Sequence, residues 1–119
     1  MELIFFYISV YILNGKVVII MVKVKLVGCN FHPASKNVTQ NDVVRLIREP
    51  DNKFDKEAIA VINSLGEKIG YVGTHKTVSR GNRRNGCIDN HQLGNIIGSQ
   101  ANGVVKKMKE YFGFIEVDI

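Results

Sequence analysis

The chain has 119 residues, of which 45% are hydrophobic and 23% charged, and a net charge of +5 with a pI near 9.3. That length and composition describe one ordinary globular domain with a modest core, and exclude a low-complexity chain. The basic balance favours an anionic partner such as nucleic acid.

Residues 1–22 carry only Glu2 and Lys16 as charges. A membrane span needs about 20 apolar residues, and here Asn14-Gly15-Lys16 would sit near its centre, where a Lys costs about 2.5–3.5 kcal/mol. A secretory signal is also a poor fit, because its basic N-terminal region is replaced by Glu2. Asn14-Gly15 between aromatic and β-branched runs is a type I′ hairpin signal, whose strands would need cover on both faces. A third reading starts the domain at Met21, where Val22, Val24 and Leu26 alternate with Lys23 and Lys25 as in a half-buried strand. This last reading is favoured. It leaves residues 1–21 as an apolar extension without a functional role and 22–119 as the domain.

From there the pattern predicts a strand over Val22–Phe31, a loop over His32–Asn41 and a strand over Val43–Arg48. Pro50 and Asp51-Asn52 open a turn-rich connection. Strands follow over Ala58–Asn63 and Lys68–Val72, joined by the tight turn Ser64-Leu65-Gly66. Thr74 is expected to cap a short helical turn through Val78, and Asn90 a helix over His91–Ser99. Val104–Lys109 and Phe112–Val117 read as a closing strand pair. Short, closely spaced strands with one or two short helices predict a mainly β fold, a small barrel of about six strands with its loops at one mouth.

Two distant cysteines, Cys29 and Cys87, read as free thiols of a reducing, cytoplasmic setting. Cys29-x2-His32 with Cys87-x3-His91 has the ligand types for zinc, but neither half has the form of a zinc knuckle, so no metal and no cofactor is expected. No acidic residue occurs between Glu67 and Asp89, whereas Lys68, Lys76, Arg80, Arg83 and Arg84 all fall there. That segment reads as a basic loop able to contact phosphate or simply to be solvated.

The densest signal is Arg48-Glu49-Pro50-Asp51-Asn52-Lys53-Phe54-Asp55-Lys56-Glu57-Ala58-Ile59-Ala60-Val61. A charged loop with one aromatic, held between two apolar runs, is the kind of segment that carries recognition. Taken with Leu26-Val27-Gly28-x-x-Phe31 and Gly66-x-x-Ile69-Gly70-Tyr71-Val72, it resembles the HIRAN domain family. The likeness covers about residues 22–119 and is most specific over 26–72.

The resemblance implies an oligonucleotide-binding-like β-barrel that binds single-stranded DNA at a free 3′ end, in DNA repair or replication. It also implies a helicase or nuclease encoded separately as a partner. Carried onto this sequence, Phe31 and Phe54 take the places of base-stacking aromatics. Asp55 takes that of the carboxylate near the terminal 3′-hydroxyl, and Asn52 and Tyr71 match positions contacting phosphate or the terminal nucleotide. Both stacking positions are Phe where Tyr would add a hydroxyl. The basic position after the Tyr71 strand falls near Thr74-His75-Lys76, and Arg80–Arg84 reads as an insertion. The DNA-binding set is therefore Phe31, Asn52, Lys53, Phe54, Asp55, Tyr71, His75, Lys76, Arg80, Arg83 and Arg84.

Elementary chemistry agrees with this set. Stacking on an aromatic contributes about 1–3 kcal/mol per base and tolerates any sequence. A lone carboxylate repels backbone phosphate but accepts a hydrogen bond from a terminal hydroxyl. Other readings stay open: Phe54 folded onto the barrel rim, Phe31 in the core, Asp55 as a turn cap, Asn52 serving turn geometry alone. At the level of function, the alternatives are a protein-interaction adaptor, or a small nuclease holding a metal through Asp51, Asp55 and Glu57.

Overall fold

A computed structural model describes residues 2–4, 8–79 and 86–119. Strands β1 (Glu2–Ile4), β2 (Ile8–Leu13) and β3 (Lys16–Val27) form an antiparallel meander at the N-terminus. They are followed by β4 (Val43–Arg48), β5 (Ile59–Ile62), β6 (Lys68–Val72), helix α1 (His75–Ser79), β7 (Cys87–Ile88), helix α2 (Asn90–Gly94), β8 (Gln100–Met108) and β9 (Gly113–Asp118). The order β3-β6-β5-β4-β8-β9, closed by pairing of β3 with β9, makes a six-stranded antiparallel barrel. The short β7 adds a parallel pairing to β3, Lys23 opposite Cys87. Barrel closure leaves these six strands without a free edge.

The alternation read from sequence is what fills the barrel. Val22, Val24 and Leu26 of β3 are at most 1% exposed and meet Val44, Leu46, Ile59, Val61, Ile69, Val72, Val105, Ile115 and Val117 in one core. Burying each such side chain contributes about 1.5–3 kcal/mol. The partner face of β3 carries Lys23 and Lys25. Their ammonium groups lie 5.6 and 4.6 Å from the rings of Phe114 and Phe112, and Phe114 joins Val78 and Cys87 in a second, smaller cluster under α1. Cys29 belongs to the main core and Cys87 to the small one, both as free thiols.

Several element boundaries differ from the sequence expectation, each for a local reason. β3 stops at Val27 rather than Phe31, because Gly28 adopts φ 74°, the left-handed region that glycine enters freely, and starts a 3-10 turn over Cys29–Phe31. The loop that follows contains a second 3-10 turn, Pro33–Asn37. The helix expected over His91–Ser99 ends at Gly94, and its cap is Asp89, not Asn90. Asp89 accepts the Gln92 N–H at 2.8 Å, and the Gln92 side chain accepts the Asp89 N–H at 3.0 Å, a complete capping box. The Asn14-Gly15 hairpin forms, with φ of 51° and 73°, and β3 runs unbroken from Lys16 across Met21. No helix among the described residues is long and apolar enough to cross a membrane, which says nothing of strands.

Candidate nucleic-acid interface

The segment joining β4 to β5 is built around two hubs. Asn52 Oδ1 accepts the N–H groups of Phe54 and Asp55 at 2.9 and 3.1 Å, and its amide nitrogen donates to Glu49 Oε1 at 3.1 Å. This is an Asx turn, so the Asn52 side chain is already engaged in shaping the loop. Below it, Glu49 accepts from Lys68 Nζ at 2.8 Å and from the Tyr71 hydroxyl at 2.8 Å, while Lys68 also donates to that hydroxyl at 2.9 Å. Burial alone would push the Glu49 carboxyl up. The hydrogen bonds from Lys68, Tyr71 and Asn52 and the Lys68 charge outweigh it and hold Glu49 below its usual value. The same contacts with Glu49 and Tyr71 raise Lys68.

On this frame Phe54 projects almost wholly into solvent, 99% exposed, and Phe31 is 78% exposed at the end of its 3-10 turn. An exposed aromatic forgoes the largest apolar gain available to a side chain. Both rings line one open cleft of ≈ 900 Å³, whose other walls include Asp55, Tyr71, Thr74 and Asn90. The Tyr71 ring is edge-on to His32 with centroids 5.8 Å apart, and its hydroxyl is held by Glu49 and Lys68. Gly70, at φ 158°, lets β6 approach β3 here: a Cβ would strike the Val27 carbonyl. Asp55 is half-buried. Its Oδ1 accepts the Glu57 N–H at 2.9 Å and its Oδ2 accepts from Asn90 Nδ2 at 2.9 Å.

The structure thus brings Phe31, Asn52, Phe54, Asp55 and Tyr71 to a single cleft. Lys53 is exposed on the same loop, and His75 and Lys76 are exposed on α1, next to the cleft residue Thr74. His75 stands 3.6 Å from the Asp89 carboxylate. Arg80, Arg83 and Arg84 lie outside the described residues. Among the described residues no His, Cys, Asp or Glu group is arranged to hold a metal. Of the acids considered for one, Asp55 is engaged by Asn90 and Glu57 faces His91 at 2.6 Å. Contact with Glu57 raises the His91 pKa.

The residue that sequence reasoning missed is Asn90. Its sequence position predicts a helix cap, whereas it sits inside the first turn, 4% exposed, with its side chain turned to the loop 35 residues earlier. Its local sequence signals a cap equally well, so only the tertiary contact distinguishes the two roles.

The sequence profile described as the HIRAN domain matches residues 19–91. The fold is also found in the crystal structure of the HIRAN domain of human HLTF, with a TM-score of 0.55 and 21% identity, covering 82% of this chain and 72% of that one. A Lactobacillus plantarum protein aligns with a TM-score of 0.54 and 18% identity over 80% of this chain and 89% of its own. No curated protein matches the chain significantly.

Proposed function

Because the chain belongs to the HIRAN domain family, we propose that its cleft binds single-stranded DNA and prefers a free 3′ end. The family is known as a DNA-binding module. The observation that carries the reading is the pair of exposed rings, Phe31 and Phe54, on the rim of a cleft that also contains a fixed carboxylate. Two rings can stack one or two bases without regard to sequence. The net charge of +5 supplies the long-range attraction. Asp55 disfavours a phosphate beside it and accepts from a hydroxyl, which fits a terminal sugar. A role in repair or replication, beside a separately encoded helicase or nuclease, belongs to the same proposal.

Fluorescence anisotropy with short oligonucleotides tests it. A 3′-hydroxyl strand is expected to bind more tightly than its 3′-phosphorylated form or a blunt duplex, with affinity falling as salt rises. Equal affinity for the hydroxyl and phosphate forms would sink the end preference while leaving strand binding. Salt-independent behaviour with no DNA binding would favour the adaptor reading.

A further inference from the structure

Both donor hydrogens of the Asn90 amide are used within the protein, one on Asp55 Oδ2 at 2.9 Å and one on the Glu57 carbonyl at 3.2 Å. The Asn90 backbone N–H donates to the Gly73 carbonyl at 2.9 Å. One buried residue therefore ties the β4–β5 loop, the exit of β6 and the start of α2, three elements that wall the cleft. The Glu57 N–H holds the other Asp55 oxygen. Among the described residues each carboxylate oxygen has one donor, which leaves it a further lone-pair direction for a ligand. A carboxylate held at both oxygens cannot swing towards Lys53 or Lys56 on its own loop. Asn90 Oδ1 has no hydrogen-bond partner among the described residues, so the group beside Asp55 on the cleft wall also contributes an acceptor.

We propose that Asn90 is the positioning residue for end selectivity: by fixing Asp55 it gives this part of the cleft only acceptors, which take a hydroxyl and reject a phosphate. The inference rests on the 3′-end reading of the cleft. It makes a specific demand on Asn90→Asp, which keeps the shape and replaces the donor with a carboxylate. Two carboxylates at hydrogen-bond distance share a proton in acid and repel in alkali. The other ionisable groups facing this point are paired, Glu57 with His91 on α2 and Asp89 with His75 on α1. Neither these groups nor Lys53 and Lys56 on the loop differ between the variant and the wild type, so the wild-type profile at each pH is the baseline.

The experiment measures anisotropy of the full chain with a short oligonucleotide ending in a 3′-hydroxyl or a 3′-phosphate, at about pH 5.5 and about pH 8. In Asn90→Asp affinity for the 3′-hydroxyl strand is expected to fall about tenfold in alkali, where the repelled Asp55 leaves its position, and to recover in acid. In Asn90→Ala that affinity is expected to fall at both pH values, with the phosphate form bound nearly as before. Thermal melting checks that each variant is folded, and Asn90→Ala carries the test should Asn90→Asp fail to fold. Equal weakening of both ligands in folded Asn90→Ala, or a hydroxyl affinity unchanged in both variants, overturns the role of Asn90. A wild type that binds both ligands equally removes the 3′-end reading itself and this proposal with it, which distinguishes the two failures.

Discussion

Two regions of this barrel hold phenylalanines near lysines, and the protein treats them in opposite ways. Under α1, Phe114 is 7% exposed, Phe112 packs against its cluster, and Lys23 and Lys25 reach over the two rings. At the cleft, Phe31 and Phe54 are 78% and 99% exposed although Lys53 adjoins Phe54 in sequence. The first arrangement consumes the aromatic faces in folding. The second leaves them for something else, on a loop held rigid by at least eight hydrogen bonds from Glu49, Asn52, Asp55 and Asn90. What separates the two pairs is whether the aromatic face is already covered, not what kind of residue stands beside it.

The contrast can be broken from either side. Phe114→Ala should have the largest effect, a loss of about 3–5 kcal/mol in stability by chemical denaturation, with the cleft's DNA affinity nearly intact in the folded fraction. Asp55→Ala should reverse that pattern, weakening binding of a 3′-hydroxyl strand by about 1.5–3 kcal/mol in anisotropy. Phe54→Ala should cost about 1–3 kcal/mol of affinity while shifting stability by no more than about 0.5 kcal/mol. A Phe54 variant that loses stability as severely as Phe114→Ala would erase the distinction.

Two smaller effects concern the loop's tethers and follow pH in opposite directions. The folded pKa of Glu49 is depressed, so its contribution is present above the ordinary carboxylate value and is lost as pH falls through the folded value. Glu49→Gln should flatten that acid limb of the stability profile, by less than about 1 kcal/mol for so accessible a pair. The folded pKa of His91 is raised, so its contact with Glu57 is fully present below the ordinary histidine value and fades as pH rises through the folded one. Protection factors of the Glu57 and Ala58 amides, from which the base-catalysed rise of exchange with pH is removed, should fall over that window in the wild type and not in His91→Asn.

Much of the barrel is legible in the sequence, because its strands have a simple code. β4 and β6 fall where alternation and turn residues put them, and the loop motif was specific enough to indicate a family. The errors lie where short-range signals are ambiguous. Gly28 ended a strand that hydropathy alone would have continued to Phe31, and that turn is what exposes the ring. Asp89 and Asn90 are both good caps, and only the capping box with Gln92 selects the first. The Asp55–Asn90 bond spans 35 residues and has no local trace at all.

The two free thiols carry a consequence of their own. Burial raises Cys29, and it pushes Cys87 up to about 11 against the opposing pull of the Lys23 and Lys25 charges. The thiolate is the form that attacks thiol reagents, so neither cysteine should react while its cluster is closed. One lies in the main core and the other beneath α1. Their labelling rates are therefore two internal clocks: Cys87 times the lifting of the helix roof, and Cys29 times the opening of the barrel. If the roof opens on its own, the first clock will run faster than the second with no foreign probe introduced.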